Sequence, residues 1–136
     1  MELDDARHFL EEHHHAVMHT YRADGTPQLS PVAVTVDEVG AALVSTRETA
    51  VKVTNLQRDP RTSLCVFTDA FYGPWLRIDG TAEVQRLPGA MEGLIDYYRR
   101  VAGEHPDWDE YREAMEAERR VLLRIELSHV GPDVAG

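Results

Sequence analysis

The segment from Val44 to Leu56 contains the residue types that bind an anionic group. Its hydroxyl and cationic side chains include Ser45, Thr46, Arg47, Thr49 and Lys52. A strand over 41–46 and a helix over 48–59 are predicted here, which places the hydroxyls at a helix start. Unpaired backbone N–H groups and the positive end of the helix dipole favour an anion at such a place. The segment therefore predicts a phosphate-binding site, although a surface helix with capping hydroxyls and solvated cations would use the same residues.

Two cations of this segment suit different contacts with an oxyanion. Arg47 can bind through two parallel N–H groups, whereas Lys52, about one turn inside the predicted helix, acts as a compact point charge. Lys52 and Asn55 are three residues apart, and positions i and i+3 share one face of a helix. We therefore expect Lys52 and Asn55 to contact one ligand.

Charge is distributed unevenly along the chain. The formal net charge is −10, with 24 Asp and Glu against 14 Lys and Arg. A general nucleic-acid-binding protein needs the opposite footprint. The stretch from 47 to 61 is nevertheless locally basic, with Arg47, Lys52, Arg58 and Arg61 against Glu48 and Asp59. A basic stretch in an acidic protein favours a small anionic ligand over nucleic acid.

Hydrophobic periodicity predicts the elements that position this segment. Strand patterns occupy 14–21, 28–36, 41–46, 62–68, 75–86 and 121–130. Helical patterns occupy 3–12, 48–59, 88–102 and 107–119, of which the last is very polar and typical of a solvated face. Helices fall mainly between the third and fourth and between the fifth and sixth strands. This order predicts a mainly β fold with appended helices, built on a six-stranded antiparallel barrel.

Glycine and proline mark where the predicted strands turn or are interrupted. Asp24-Gly25, between the first two strands, is a hairpin signal. Gly80, inside the fifth strand, predicts a bulge or a bend. Pro31, inside the second strand, cannot donate to a ladder and predicts a strand edge, a bulge or the mouth of a ligand site.

Length and composition predict one domain, 1–136, in a reducing compartment. No apolar run approaches the roughly 20 residues of a membrane span, and the charged N-terminus lacks the apolar core of a signal peptide. The single cysteine, Cys65, allows no internal disulfide, and we expect it to be a small buried apolar residue of a strand. These features predict a cytoplasmic protein that does not associate with membranes.

Two further clusters allow a chemical interpretation. The histidine run at 13–15 straddles a helix-to-strand junction, so its side chains diverge, and no cysteine or carboxylate pattern completes a metal site. We therefore predict no metal.

The loop 69–75 is rich in aromatic and turn residues, and either it covers a ligand across a dimer, or its last residue, Trp75, starts a strand and packs in the core. Arg77 is expected on the same side as Trp75.

Three stretches together resemble the pyridoxamine-phosphate-oxidase-like split β-barrel family. They are Gln-Leu-Ser-Pro-Val-Ala-Val at 28–34, the pattern T-R-x-T-x-x-K-V-x-N-L at 46–56, and Asp-Pro-Arg at 59–61. The resemblance extends over nearly the whole chain and is closest to the actinobacterial branch of coenzyme F420-dependent reductases. It implies a split β-barrel of the FMN-binding type with coenzyme F420 as the cofactor and FMN as the alternative.

The same resemblance implies a set of cofactor-binding residues. Those that would hold the phosphate and the polar chain are Ser45, Thr46, Arg47, Val51, Lys52 and Asn55. Those that would lie beside the ring are Ser30, Pro31 and Val32. Pro31 would then serve to interrupt the strand ladder next to the ring. If the loop 69–75 covers the cofactor or substrate, Tyr72 or Trp75 is the residue expected to do so, and the acidic tail of the cofactor would pass Arg47 or Arg77 into solvent.

The implied activity is hydride transfer between reduced F420 and a small organic substrate that the sequence does not identify. The sequence contains no G-x-S-x-G or P-loop motif, which agrees with chemistry carried by a cofactor, and no catalytic residue is assigned. Oxidation of pyridoxamine phosphate would need a second basic phosphate site, and the segment 128–136 offers His129 but no arginine. An FMN-dependent oxidase or reductase is the alternative enzyme. A flavin-, F420- or haem-binding protein without turnover is the alternative of another class.

The resemblance also predicts a homodimer, because a second subunit would close a cofactor groove that one barrel leaves open. Identical chains that close a shared site form an isologous C2 interface in most cases. Light scattering at micromolar concentration should therefore give twice the mass of one chain. The mass of a single chain would contradict this prediction.

Overall fold

The computed structural model describes residues 2–132, and the structural statements below concern this range. The strands are β1 (His15–Tyr21), β2 (Pro27–Val36), β3 (Ala42–Arg47), β4 (Arg61–Phe67), β5 (Trp75–Gln85) and β6 (Arg120–Gly131). The helices are α1 (Leu3–Glu12), α2 (Val51–Arg58), α3 (Met91–Ala102) and α4 (Trp108–Ala117). The strands form a closed antiparallel barrel in the order β1-β2-β3-β6-β5-β4. None of the described helices has the length and apolar character needed to span a bilayer.

One apolar core fills the barrel, because alternate residues of every strand point inward. Its fully buried side chains include Met18, Val34, Leu64, Ile78 and Leu123. Ala6 and Leu10 of α1 and Val53 and Leu56 of α2 belong to the same core, so both helices pack against the barrel interior. A second cluster forms outside the barrel, where α3 and α4 cover Leu43 and Leu122. The predicted positions of the helices between the strands are confirmed.

The turn signals at Asp24-Gly25 and Gly80 are confirmed by backbone geometry. Gly25 has φ +84° in the β1–β2 turn, and the Asp24 carboxylate accepts from the Thr26 N–H at 3.0 Å. The β5–β6 ladder shifts register between Asp79 and Gly80. A Cβ atom at Gly80 would collide with the Glu126 carbonyl, so this close approach of two backbones requires glycine.

Pro31 lies at an open edge of β2, as its missing N–H predicts. The Val34 N–H donates to the His14 carbonyl at 2.8 Å. Hydrogen-bonded pairs alternate along an antiparallel ladder, so Pro31 faces Val17 in a non-hydrogen-bonded pair. The nitrogen of Pro31 therefore points away from β1, toward the side on which β3 would have to pair.

Two boundaries and one burial expectation were wrong. β3 continues through Arg47, and α2 begins at Val51 rather than at residue 48. Ser45, Thr46 and Arg47 therefore lie on a strand and not at a helix start, because their pairing with β6 keeps them extended. Cys65 lies on the outer face of β4 and is partly exposed, since its neighbours Leu64 and Val66 are the residues that point into the core. Burial raises the pKa of the Cys65 thiol.

The bulge gives a test of the fold. Gly80→Ala should destabilise the protein by about 1–3 kcal/mol, because the added methyl group must displace the β6 backbone. Gly89→Ala is the matched control, since its Cβ would meet only the Arg86 carbonyl at 3.7 Å. Urea unfolding of both variants measures the difference. Equal stability of the two variants would show that the barrel accommodates a side chain at the bulge.

Candidate ligand-binding site

The split between β2 and β3 is the candidate site. β3 pairs with β2 only from Ala42 to Val44, and from there to Arg47 it pairs with β6 alone. The first part of β2, around Pro31, pairs with β1 alone. The barrel therefore opens between two lips, one formed by β2 near Pro31 and the other by the end of β3.

Tyr97 of α3 lies where the two strands part. Its hydroxyl donates to the Ala33 carbonyl at 2.8 Å, which faces the side that a longer β2–β3 ladder would use. Burial raises the pKa of the Tyr97 hydroxyl, and a hydrogen bond with the Ser45 backbone acts in the opposite direction. Pro31 has no N–H to offer β3. The split thus has two causes. The Tyr97 hydroxyl takes the Ala33 carbonyl that β3 would otherwise bind, and Pro31 offers no N–H for the next hydrogen bond of the ladder.

The helix α2 connects the two sides of the split. It follows the β3 lip directly, where the Ala50 N–H donates to the Arg47 carbonyl at 3.0 Å. Farther along α2, the buried Asn55 amide donates to Thr20 Oγ1 of β1 at 3.1 Å. The helix therefore begins beside the β3 lip and ends against β1, the strand that carries the β2 lip.

Lys52, in the first turn of α2, is partly buried and lacks a partner. Among the described residues its ammonium group makes no hydrogen bond or ion pair. Burial and the nearby Arg120 guanidinium lower the pKa of Lys52 below its usual value. A partly desolvated cation beside another cation is unfavourable in the free protein and attracts an anion. The prediction of an anion site at Lys52 is thereby consistent with its surroundings.

Arg47 and Arg120 lie beside each other at the end of β3 and the start of β6, and they share one carboxylate. Glu118 Oε1 accepts from Arg47 at 3.3 Å and from Arg120 at 2.9 Å. The Arg120 hydrogen bond is the main cause of the lowered pKa of Glu118. One carboxylate is thus shared by two arginines, and Lys52 beside Arg120 adds to the positive excess of the cluster.

The remaining basic residues of the 47–61 stretch have structural partners. Arg58 donates to the Tyr21 carbonyl at 2.7 Å and to Asn55 Oδ1 at 3.0 Å. Arg61 binds Asp59 at 2.7 Å, and this hydrogen bond lowers the pKa of Asp59 to about 2. Arg58 and Arg61 therefore stabilise the far end of α2 and do not join the Lys52 cluster.

The expectation that Asn55 and Lys52 contact one ligand does not match the contacts of Asn55. The Asn55 side chain is 4% exposed, and both ends of its amide are hydrogen-bonded within the protein. Asn55 lies on the face of α2 that packs against β1, so its amide binds Thr20 and holds the helix to that strand. Val51, by contrast, is 55% exposed in the first turn.

Ser30 supplies an unsatisfied polar atom at the β2 lip. It faces Met18 across the ladder, so its side chain points to the inner side of the barrel. Within residues 2–132, Ser30 Oγ is buried and has no hydrogen-bond partner. A buried hydroxyl without a partner costs about 1–3 kcal/mol, so a polar ligand atom in the split would relieve it. Val32 points the same way and packs against the core.

The β3 residues do not all face one ligand. Thr46 alternates with the core residues Ala42 and Val44, points inward and is 7% exposed. Ser45 and Arg47 point to the outer face, because side chains alternate along a strand. Ser45 and Arg47 can therefore reach an anion near Lys52 with their side chains, whereas Thr46 helps to shape the inner wall.

Trp75 and Arg77 lie on a different surface, the outer face of β1, β4 and β5. Arg77 binds Asp79 at 2.9 Å, and Trp75 begins β5 and is partly exposed, so it packs neither in the core nor beside Lys52. Two shallow cavities of about 300 and 210 Å³ share Trp75 and Cys65. Phe71 and Tyr72 of the adjoining loop are 70% and 97% exposed. We call this region the aromatic face.

The described residues contain no group of three or more side chains that could hold a metal ion. His14 Nδ1 contacts the Val34 carbonyl at 2.9 Å, and the His13 ring packs on Phe9 at 4.8 Å. Of the C-terminal segment considered above, residues 133–136 lie outside the described range, and His129 pairs with Asp79 in the β5–β6 ladder.

Sequence reasoning missed three residues of the site: Tyr97, Glu118 and Arg120. Glu118 lies 71 positions from Arg47, and Tyr97 lies 64 positions from Ala33. No local pattern marks such pairs. The predicted strand at 121–130 was the one indication in the sequence of the role of Arg120, because pairing of this last strand with β3 brings Arg120 opposite Arg47.

Comparison with known proteins shows the family. The family profile described as pyridoxamine 5'-phosphate oxidase matches residues 3–132, and the chain belongs to this family. A curated protein of Mycobacterium tuberculosis (strain CDC 1551 / Oshkosh), F420H(2)-dependent biliverdin reductase, is 29% identical over 129 residues. That match covers 93% of this chain and 85% of the relative.

Solved structures share the fold. A conserved hypothetical protein of Mycobacterium tuberculosis superposes with a TM-score of 0.78 at 22% identity, covering 100% of this chain and 93% of the other. A structure described as an F420 reductase superposes with a TM-score of 0.69 at 19% identity, covering 92% and 94%. The predicted fold class, a mainly β, six-stranded antiparallel split β-barrel with appended helices, is confirmed.

Substitutions in α2 should separate a structural residue from a ligand-binding residue. Asn55→Ala should lower the free energy of unfolding by about 1–3 kcal/mol, because it leaves Thr20 and Arg58 without their buried partner. Lys52→Ala should leave the stability of the ligand-free protein unchanged or raise it. The pKa of Lys52 is lower in the folded than in the unfolded protein, so the charged ammonium group opposes folding at neutral pH. This loss of stability decreases as the pH rises above the folded-state pKa, because the ammonium group then loses its proton. Urea unfolding near pH 7 and near pH 10 measures both effects. A Lys52→Ala protein less stable than Asn55→Ala would contradict the assignment.

Proposed function

We propose that this member of the pyridoxamine 5'-phosphate oxidase family is an F420-dependent oxidoreductase that transfers a hydride between the reduced deazaflavin and a small organic substrate. The observation that carries the proposal is Lys52 at the split of the barrel, a partly buried cation that has no partner within residues 2–132. The relative named F420H(2)-dependent biliverdin reductase supports F420 as the cofactor. The acidic composition of the chain argues against a nucleic-acid partner.

The phosphate of the cofactor would bind at the β3 lip. Lys52 supplies a cation that gains its missing partner, and Arg47 and Ser45 can add donors from the outer face of β3. The first N–H groups of α2 have no partners within the helix and can donate to the same phosphate. Asn55 acts as a positioning residue. Its hydrogen bond to Thr20 holds α2 against β1 and therefore sets the position of Lys52 relative to the split.

The ring of the cofactor would lie along the β2 lip. Ser30 Oγ is the buried hydroxyl that needs a polar partner, and at Pro31 β2 pairs with β1 alone, which leaves that edge of β2 unpaired. Val32 and Thr46 contribute the walls on the inner side. When bound, reduced F420 carries the hydride, and the protein orients the ring and excludes water from it.

The aromatic face supports a second part of the proposal, that a copy of this chain covers it in a homodimer. Leu29, Phe71 and Tyr72 are 61%, 70% and 97% exposed and line the cavities that Trp75 shares, so the exposed apolar side chains are grouped on one face. Such a partner would bring Trp75 and Arg77 to the cofactor from the second subunit. The solution mass predicted from the sequence tests this part separately from cofactor binding.

FMN is the alternative cofactor, because a flavin shares the ring-and-phosphate frame that the split would accept. F420 should bind more tightly than FMN, since the excess of cations around Lys52 and Arg47 favours a ligand with more negative charge. Stoichiometric FMN that co-purifies with the protein and resists displacement by F420 would assign the chain to the FMN-dependent enzymes.

Titration of F420 into wild type and Lys52→Ala tests the function and the site together. Loss of a charge-assisted hydrogen bond worth about 1.5–3 kcal/mol should weaken binding roughly 10- to 100-fold. Arg112→Ala is the matched control. Arg112 of α4 has a side chain that is 44% exposed and pairs with Glu92 at 3.5 Å, and this variant should bind F420 as wild type does.

Binding should weaken with salt, and reduced F420 should be consumed with biliverdin as the first substrate tried. Wild-type affinity in Lys52→Ala would refute the phosphate site. Binding without turnover of any substrate would instead favour a carrier.

A further inference from the structure

The ladder between β2 and β3 lacks a hydrogen-bonded pair at the split. The Asp37 N–H donates to the Ala41 carbonyl at 2.9 Å, just beyond the closed end of this ladder. Hydrogen-bonded pairs recur at every second position of an antiparallel ladder, and the observed register makes Ala33 and Ser45 the first such pair that is missing. Both residues carry the N–H and C=O groups that a direct pair needs, so their own chemistry does not explain why the strands part there.

The hydroxyl group of Tyr97 lies between these two residues. It donates to the Ala33 carbonyl at 2.8 Å. A second hydrogen bond, with the Ser45 backbone, lowers the pKa of Tyr97, so the phenol oxygen accepts there and the Ser45 N–H donates. The hydroxyl therefore connects the same two groups that a direct Ser45–Ala33 hydrogen bond would join. Two such bonds in series hold these groups about 2 Å farther apart than one bond does.

Pro31 acts one hydrogen-bonded pair farther along than Tyr97. In the same register Pro31 would face Arg47. Pro31 has no N–H, and the Arg47 carbonyl that would receive it already accepts from the Ala50 N–H at 3.0 Å. That pair is therefore disfavoured in any case, whereas the pair of Ala33 and Ser45 is kept apart by the Tyr97 hydroxyl.

Packing of α3, rather than a ligand, fixes the place of the Tyr97 hydroxyl. The Tyr97 ring packs against the cluster that α3 and α4 form outside the barrel. Arg100 lies three residues along on the same face of α3, donates to the Val36 carbonyl at 3.1 Å and binds Asp96 at 2.8 Å. Tyr97 and Arg100 thus hold α3 to the β2 backbone at two points, so the hydroxyl is in place before anything enters the split.

We infer that Tyr97 is a positioning residue whose hydroxyl holds the β2 and β3 lips apart in the ligand-free protein. Without the hydroxyl, the Ser45 N–H and the Ala33 carbonyl would bind each other, and the β2–β3 ladder would gain one more hydrogen-bonded pair. A ligand would then have to break that pair in order to enter. The inference rests on the proposed function, since F420 is the ligand whose entry is expected to depend on the width of the split.

Titration of F420 into Tyr97→Phe tests the inference. The phenylalanine keeps the ring and its packing and removes only the hydroxyl. Binding should weaken about 2- to 10-fold, because the ligand must now break roughly one hydrogen bond of net stability. Tyr111→Phe is the matched control, since it removes a hydroxyl that donates to the Leu94 carbonyl at 2.8 Å between α4 and α3. The control should bind F420 as wild type does.

Amide hydrogen exchange of the ligand-free proteins distinguishes a spacer from a residue that only stabilises α3. Exchange at Ser45 is compared with exchange at Val44, which belongs to the intact part of the ladder. In Tyr97→Phe the Ser45 amide should exchange no faster than in wild type, because the Ala33 carbonyl replaces the hydroxyl as its acceptor. If Tyr97 only stabilised α3, its loss would leave the Ser45 N–H without an acceptor, and exchange there would accelerate.

Wild-type F420 affinity in Tyr97→Phe would overturn the inference, and so would faster exchange at Ser45 in that variant. An equal loss of affinity in Tyr111→Phe would also overturn it, because the effect would then come from loosening of α3. The inference and the proposed function remain distinguishable. Failure of wild type to bind F420 would refute the proposed function, whereas the exchange measurement needs no ligand and would still decide the role of Tyr97.

Discussion

The early separation of β3 from β2 is the constraint on which the rest of the structure depends. The two strands share three residue pairs and then part, because Pro31 has no N–H for the next rungs and the Tyr97 hydroxyl occupies the Ala33 carbonyl. Had the ladder continued, Ser30 would lie under a closed sheet and α2 would have no gap beside which to begin. A proline and a tyrosine from distant segments thus end the β2–β3 ladder early and open the barrel between these two strands.

Electrostatic imbalance follows from the same geometry. β3 leaves β2 but stays with β6, so Arg47 comes to lie opposite Arg120, and both depend on the single carboxylate of Glu118. The turn into α2 adds Lys52 to this pair, and no carboxylate of the described part of the chain pairs with it. A folded protein tolerates such an excess where a ligand supplies the missing charge, which is a common compromise between stability and function.

The two candidate functional surfaces have opposite character, and the barrel keeps them apart. The split carries cationic side chains, whereas the aromatic face around Trp75 is apolar and partly exposed. Alternation along the strands accounts for the difference, since Ser30 points inward at the β2 lip while Leu29 beside it points outward. The proposed hydride transfer would use both kinds of surface, one to hold a charged cofactor and one to exclude water from its ring.

The sequence by itself determined the elements and the location of the basic segment, because periodicity, turn residues and Pro31 act over a few neighbouring positions. It also indicated the family through the T-R-x-T-x-x-K-V-x-N-L pattern at 46–56. Only the tertiary structure decided which cations are available. Arg58 donates to the Tyr21 carbonyl, 37 positions away, whereas Lys52 has no partner among the residues that the structure describes, although spacing alone treats the two alike. The physical reason is that a hydrogen bond or an ion pair is decided by distance in the folded chain, and strand register brings together residues that no local pattern relates.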